Sequence, residues 1–269
     1  MRPCYIDSHL HLQDDRFGGQ AELLINRAEQ AGVALFLCNA AKESDWPAIA
    51  TLRNNTTGLI PFLGIHPWYA DSAEPGWDTR LKNMLKSFNQ SCGVGESGLD
   101  RNAAADFTVQ IELFETQLEI ARQLSRPLAL HCVNSWGALV DRLESYARDK
   151  RLPATMIHSF SGSFETMKRL TRIGCFISYS LQILEPHRTK LRETFIRTPL
   201  ERLFLETDAP GRFNPTVFRQ TKTLTPFSEP VLIPAFYRWA ARQRNVEPDY
   251  FKTQIWRNAQ VYTNTTAGR

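Results

Sequence analysis

The sequence predicts an α/β fold, a (β/α)8 barrel of the TIM type, in which eight parallel strands alternate with helices. Short apolar runs recur eight times along the chain, and most are followed by a longer segment whose apolar residues have helical spacing. The runs are almost continuously hydrophobic, which is typical of parallel strands buried on both faces. The chain has 269 residues, close to the ~250 residues of one such barrel. We therefore assign residues 1–269 to a single domain.

The elements can be placed in order along the chain. The eight strand candidates read CYID, VALFLCNA, LIPFLGIHP, CGVGE, PLALHC, ATMIHSF, CFISYS and RLFLETDAP. The helical segments between them read QAELLINRAEQA, KESDWPAIATLRNN, WDTRLKNMLKSF, DFTVQIELFETQLEIARQL, WGALVDRLESYARD, FETMKRLTRI and PHRTKLRETFIR. Two closing helices, 231–244 and 248–262, follow a long irregular stretch over 209–229. A stretch of that length in a compact domain is usually functional.

The main alternative is an open, doubly wound sheet. That fold commonly carries a G-x-G-x-x-G or Walker loop after its first strand. The first strand here is followed by SHLHLQDD, which contains no glycine. The closed barrel is therefore favoured.

The composition indicates an ordinary globular protein of a reducing compartment. Hydrophobic residues make up 42% and charged residues 22%, and the net charge of +4 permits a phosphate-bearing ligand without requiring one. The five cysteines are odd in number and form no C-x-x-C pair, which predicts free thiols. No run approaches the ~18 apolar residues of a membrane span. We expect a cytoplasmic protein that uses no membrane and no obligate protein partner.

Histidines and carboxylates follow six of the eight predicted strands. The chemistry of a parallel barrel gathers at the carboxyl ends of its strands. Each such residue alone is also typical of an ordinary polar rim position, but their concentration at one rim predicts a common site. The residues at these ends are His9, His11, His66, Glu96, His131, His158 and Asp208.

These residue types predict a metal centre. His9 and His11 point the same way because side chains alternate along a strand. Imidazoles and carboxylates bind Zn²⁺, Mn²⁺ and Ni²⁺. Four imidazoles with two carboxylates exceed what one tetrahedral zinc with an open position uses, and they suit two ions about 3.5–4 Å apart that activate a hydroxide. The pattern predicts a hydrolase with two divalent ions, and it does not distinguish Zn, Mn, Mg and Ni.

Six motifs in order resemble the TatD family of metal-dependent deoxyribonucleases, within the amidohydrolase superfamily of barrels. The opening IDSHLHL is similar to the D-x-H-x-H of that family, and GIHP and GESGLD are similar to its next two motifs. PLALH, HSFSGS and LETDAP match its later strand ends. The helix signature Q-x-x-x-F-x-x-Q is present as Gln110, Phe114 and Gln117. The match covers nearly the whole chain.

The resemblance implies a role for each matching residue. His9, His11 and Asp208 would hold one ion, His131 and His158 the other, and Glu96 would bridge them. By the same analogy, His66 would contact a phosphate oxygen. Asp208 is also our candidate for the general base that takes a proton from the attacking water. The implied substrate is DNA or another phosphodiester.

Several nearby polar residues have a less specific interpretation. Glu206 and Asp7 are predicted to support or pair with the ligands, and Asp100 either orients a loop beside Glu96 or pairs with Arg101. Two interpretations remain open for Trp68 and Tyr69, which follow GIHP. They form either a stacking platform for a base or a hydrophobic cluster of the loop.

The sequence departs from the TatD pattern where a phosphodiester would be contacted. Val133 stands where members often carry an arginine, and Ser135 stands where an acid is common. The segment PFSEP keeps Glu229 and Pro230 of a motif that often reads R-N-E-P, but it lacks the arginine and asparagine. The candidate replacements for the lost cations are Arg101, Arg212, Arg219 and Lys222.

Three hypotheses for function follow. The first is a deoxyribonuclease that trims single-stranded or 3′ ends. The second keeps the metal site but acts on a small amide or ester. The third is a catalytically weak barrel that binds nucleic acid or another partner, and it predicts that one or more ligands are replaced.

Overall fold

A computed structural model describes residues 3–88, 92–149, 151–211, 213 and 222–263. Eight parallel strands form one sheet in which each strand pairs with its neighbours in sequence, from β1 through β8. The predicted barrel is confirmed. The strands are β1 (Tyr5–Leu10), β2 (Val33–Asn39), β3 (Leu59–Leu63), β4 (Gly93–Asp100), β5 (Leu128–Val133), β6 (Thr155–Ile157), β7 (Phe176–Ser180) and β8 (Leu203–Glu206).

The sheet closes where the first and last strands meet. Leu10 and Ala209 form a parallel bridge. The backbone N–H of His11 donates to the carbonyl of Ala209 at 2.7 Å, and the N–H of Asp208 donates to the carbonyl of His9 at 3.0 Å. These bonds bring residues from opposite ends of the sequence to one rim.

Helices surround the barrel and cover the outer faces of its strands. The helical spacing of apolar residues predicted for the fourth segment is confirmed, because Leu113, Phe114 and Leu118 of that helix are buried. The helices are α1 (Ala21–Gln30), α2 (Trp46–Asn55), α3 (Trp77–Ser87), α4 (Phe107–Gln123), α5 (Trp136–Arg148), α6 (Phe164–Arg172), α7 (Thr189–Arg197), α8 (Ile233–Gln243) and α9 (Pro248–Thr263). The last two are the predicted closing helices.

The fourth strand is longer than its sequence pattern predicts. The predicted end at Glu96 is wrong, because β4 continues to Asp100 and Glu96 lies in its middle. Gly98 allows this continuation, since its φ of +135° is unusual for other residues and a Cβ there would lie 2.0 Å from the carbonyl oxygen of His131. A glycine in a strand marks such a close approach of two backbones.

The cysteines and the helices agree with the sequence pattern. None of the five cysteines forms a disulfide, and four of them are buried. Among the described residues, no helix combines the length and the hydropathy that a membrane crossing requires.

Candidate metal centre

The predicted ligands converge on the buried carboxylate of Glu96, which is 2% exposed. Its Oε2 lies 3.2 Å from His9 Nε2 and 3.3 Å from His11 Nε2. Its Oε1 lies 2.6 Å from His158 Nε2 and 3.1 Å from His131 Nδ1. The strand order therefore gathers side chains from β1, β4, β5 and β6 around one carboxylate.

Asp208 completes one side of this cluster. Its Oδ1 lies 3.8 Å from His11 Nε2, and His9, His11 and Asp208 offer three ligand atoms within 4.8 Å of one another. The backbone of Asp208 adopts a φ of +51°, a left-handed conformation that is unfavourable for a side chain and is often kept at functional sites. Its N–H bond to the carbonyl of His9 holds this conformation next to β1.

Three of the histidines are oriented by hydrogen bonds at the ring nitrogen that faces away from Glu96. His11 Nδ1 lies 2.8 Å from the carbonyl oxygen of Asn39, which can only accept a hydrogen bond. His131 Nε2 and His158 Nδ1 lie 3.2 Å and 3.3 Å from the carboxylates of Asp100 and Glu206. In the neutral form of each ring, this far nitrogen carries the proton and donates it, which leaves the near nitrogen with a lone pair directed into the cluster.

His66 has the opposite arrangement. Its Nδ1 accepts a hydrogen bond from the backbone N–H of Trp68 at 3.1 Å. In the neutral ring the proton is therefore on Nε2, which donates to Glu96 Oε1 at 3.3 Å. His66 presents a hydrogen-bond donor to the cluster, whereas His11, His131 and His158 present lone pairs.

The electrostatics of the cluster follow from burial and from the mutual contacts of its members. Burial lowers the pKa of His9 and of His66 to about 4, so both rings are neutral at neutral pH. Burial alone would raise the pKa of Glu96, but the positive charge of His158, whose own pKa is held well above its usual value, keeps the pKa of Glu96 well below its ordinary value. Burial raises the pKa of Asp208 to about 6.

The donor set fits divalent metal ions. Imidazole lone pairs and carboxylate oxygens converge in a buried space, and such groups are the ligands of zinc and of similar ions. The far-side bonds to Asp100, Glu206 and a backbone carbonyl are the contacts that orient metal-binding histidines in proteins. The buried Nδ1 of His9 and Oε2 of Glu206 have no hydrogen-bond partner among the described residues.

A cavity of about 490 Å³ opens above this cluster. Its wall includes two basic side chains, Arg16 and Lys42, that the sequence pattern did not single out. The guanidinium of Arg16 pairs with Asp14 at 2.7 Å and donates to the carbonyl of Pro210 at 3.2 Å. The other residues that line the cavity include Gln13, Asp15, Asp45, His66, Trp68, Tyr69 and Asp208.

Other predicted residues lie away from this cavity. The carboxyl of Asp7 accepts hydrogen bonds from the backbone N–H and the hydroxyl of Thr207, and burial raises its pKa to about 8. It ties β1 to the end of β8. Glu229 is buried, pairs with Arg27 at 2.6 Å and accepts N–H bonds from two residues of its own loop. Its role is therefore to fold that loop.

Two of the four candidate replacement cations, Arg101 and Lys222, do not line the cavity. The guanidinium of Arg101 stacks on the ring of Phe107 at 3.9 Å, and Lys222 is exposed with its carbonyl bound to Arg27. Arg212 and Arg219 lie outside the described residues.

The two glutamines of the helix signature on α4 hold loops of the site. Gln117 accepts from the N–H of Ile65 at 2.9 Å and donates to its carbonyl at 3.0 Å. Gln110 accepts from the N–H of Asp100 at 2.9 Å. Both side chains are buried, and they fix the backbone next to His66 and Asp100.

The barrel and the histidine–carboxylate cluster at its rim define the class of protein, a metal-dependent hydrolase. The chain belongs to the family described as TatD related DNase, which it matches over residues 6–264. The Escherichia coli K12 protein named uncharacterized metal-dependent hydrolase YjjV is 30% identical over 212 residues, or 77% of this chain and 79% of that protein. The crystal structure of that TatD homologue has a TM-score of 0.86 and 26% identity, covering 99% of this chain and 100% of that one. The Yersinia pseudotuberculosis 3′-5′ ssDNA/RNA exonuclease TatD is 26% identical over 261 residues, or 94% of this chain and 97% of that protein.

Proposed function

We propose that this protein is a deoxyribonuclease that removes nucleotides from single-stranded ends with a centre of two divalent metal ions. The observation that carries the proposal is the contrast between His66, a donor, and the histidines that present lone pairs around Glu96. The relatives named 3′-5′ ssDNA/RNA exonuclease support the choice of substrate. The same proposal includes three further features. They are a cytoplasmic location, a single domain and the absence of an obligate protein partner.

The ligand assignment keeps the roles that the sequence motifs imply. His9, His11 and Asp208 would hold one ion, His131 and His158 the second, and Glu96 would contact both. When bound, two such ions lower the pKa of a water molecule and offset the negative charge that develops on the phosphoryl oxygens. Their identity among Zn, Mn, Mg and Ni follows from metal availability as much as from these ligands.

The protein's own residues would orient the reacting groups and take up the proton of the attacking water. The Nε2–H of His66 is directed into the cluster and would donate to a non-bridging phosphate oxygen, an interaction that strengthens as charge develops there. The Asp208 carboxylate lines the cavity and would take the proton of the attacking water. Asp100 and Glu206 hold the rings of His131 and His158 in the orientation that this reaction requires.

The first experiment measures metal content. Purified protein should load about two divalent ions per chain, and a chelator should abolish hydrolysis that reloading restores. Protein that folds normally but takes up none of the four candidate ions would contradict the proposal. Loading should also raise the unfolding temperature, because an ion that binds only the folded state stabilises it.

The second experiment separates ligands from the phosphate donor. Glu96→Ala and Asp208→Ala should lower metal content and abolish hydrolysis. His66→Ala should keep the metal content but lower kcat by about 10²–10³-fold, the usual cost of losing one such donor. Loss of metal in the His66 variant would show that this side chain is a ligand, which contradicts the role proposed here.

The third experiment tests the substrate class. The panel contains labelled single-stranded oligonucleotides, a chromogenic phosphodiester and N-acyl amino acids. Cleavage of the phosphodiesters is expected. Activity confined to the amides would replace the nuclease by the second hypothesis while leaving the metal centre unchanged.

A further inference from the structure

Trp68 is an unusually exposed aromatic residue at the edge of the candidate site. Its side chain is 60% exposed, whereas tryptophan is on average highly buried in folded proteins. It lines the cavity that contains Glu96, His131 and Asp208. This exposure argues against a hydrophobic cluster of the loop, one of the two interpretations that its sequence position left open.

The exposed ring is nevertheless held in one orientation. Its indole N–H donates to Asp100 Oδ2 at 2.7 Å, and its backbone N–H donates to His66 Nδ1 at 3.1 Å. The ring also meets His66 edge to face, with 4.7 Å between ring centroids and 72° between planes. Fixing an exposed aromatic ring before a ligand arrives lowers the entropy cost of binding.

The same contacts join Trp68 to the candidate metal centre. Asp100 accepts hydrogen bonds from the indole and, at 3.2 Å, from His131 Nε2. A basic side chain lines the same cavity, where the Nζ of Lys42 lies 5.8 Å from the ring centroid of Tyr69. Proteins bind single-stranded nucleic acid with grooves that combine cations and aromatic rings on which bases stack.

We propose that Trp68 is the stacking platform for the base of the terminal nucleotide whose phosphate enters the cavity. This inference rests on the proposed nuclease function and adds the part of the substrate that the site recognises. Stacking does not depend on the identity of the base, since every base has a π face. The enzyme should therefore require a base at the terminal nucleotide but discriminate little among the four bases.

The test uses three single strands of equal length and charge. One strand is abasic throughout, one carries a single adenine at its 3′ end, and one carries a single adenine at its 5′ end. Equal charge cancels the contribution of Lys42 and other cations. Affinity is measured by calorimetry on the metal-loaded protein, with phosphorothioate linkages in all three strands so that binding is measured without cleavage.

The 3′ adenine should raise the affinity by about 5- to 150-fold over the abasic strand, the range expected of one base–aromatic stack. Trp68→Ala should remove this gain, and Trp68→Phe should retain part of it. The matched control is Tyr250→Ala on α9, which removes an aromatic residue with a similar exposure of 55% and should leave the gain unchanged. Circular dichroism checks that each variant is folded.

Three results would overturn the inference. The first is that the 3′ adenine leaves the affinity unchanged or undetectable. The second is that the gain in affinity persists in Trp68→Ala. The third is that the 5′ adenine raises the affinity as much as the 3′ adenine does. Cleavage of the phosphodiester forms of these strands by the metal-loaded protein tests the nuclease function separately. If the strands are cleaved but the 3′ adenine adds nothing to the binding affinity, only the stacking role is refuted. If the 3′ adenine raises the affinity but no strand is cleaved, only the nuclease function is refuted.

Discussion

Replacing Asp100 with asparagine should weaken metal binding even though Asp100 is not itself a proposed ligand. Its Oδ2 accepts hydrogen bonds from His131 Nε2 at 3.2 Å and from the indole of Trp68 at 2.7 Å, and its Oδ1 accepts from the N–H of Asn102 at 2.8 Å. An amide has one acceptor oxygen and one NH2 donor. In either orientation of the new side chain, a donor therefore faces another donor.

The magnitude follows from what the carboxylate does for His131. It holds the imidazole in the tautomer whose Nδ1 lone pair faces Glu96, and it makes that nitrogen more basic. Loss of such an orienting partner typically costs 10–100-fold in metal affinity or activity, equivalent to about 1.4–2.8 kcal/mol. We expect the Kd of the more weakly held ion to rise by that factor, with a parallel loss in kcat/KM at limiting metal.

The assay is a titration of metal-free protein with Mn²⁺ or Zn²⁺ by calorimetry. Asp106→Ala is a matched control from the same loop, because Asp106 caps α4 by accepting from the backbone N–H groups of Thr108 and Val109. Loss of this cap should lower the unfolding free energy and leave the metal Kd unchanged. Wild-type metal affinity in Asp100→Asn would refute the role assigned to this carboxylate. Equal losses of metal affinity in both variants would show that Asp100 acts only by stabilising the loop.

Three further predictions concern the surroundings of the centre. Glu206→Gln removes the charge that orients the histidine at the end of β6, so the metal Kd should rise by about tenfold, and an unchanged calorimetric titration would contradict this. Gly98→Ala places a methyl group 2.0 Å from the carbonyl of His131, so the unfolding free energy should fall by about 3 kcal/mol or more. A wild-type thermal transition would show that the two strands can separate there at little cost. Arg27→Met leaves the buried carboxylate of Glu229 without its cation, so the free energy of unfolding measured in urea should fall by about 2 kcal/mol. The metal content of this variant should be unchanged.

The sequence predicts those features that depend on short-range periodicity. Eight apolar runs separated by amphipathic segments specify a parallel barrel, because buried parallel strands and surface helices have different patterns. The alternation of side chains predicts that His9 and His11 share a side, and their Nε2 atoms lie 3.2 Å apart. Placement of ligands at strand ends brings Asp208 to the same rim.

The sequence does not predict contacts that depend on the register between strands and on side-chain hydrogen bonds. The sequence pattern ends β4 at Glu96 and therefore leaves two roles open for Asp100, orienting a loop or pairing with Arg101. The additional residues of that strand bring Asp100 within reach of His131. The same limit applies to Arg16 and Lys42, which stand in loops whose course follows from tertiary packing.

The departures from the TatD pattern and the orientation of His66 have a common consequence for recognition. Val133 removes one expected contact to the phosphodiester, and the guanidinium of Arg16 is largely engaged by its own partners. In the proposed function, the turn after β3 would supply two other contacts from a single segment. The backbone N–H of Trp68 sets the tautomer of the neutral His66 ring, whose Nε2–H would donate to phosphate, while the indole of Trp68 is exposed and fixed by Asp100. Recognition in this protein would therefore depend more on a hydrogen-bond donor and a stacked base than on added positive charge. The affinity of this protein for single strands should consequently vary less with salt concentration than the affinity of an arginine-rich relative.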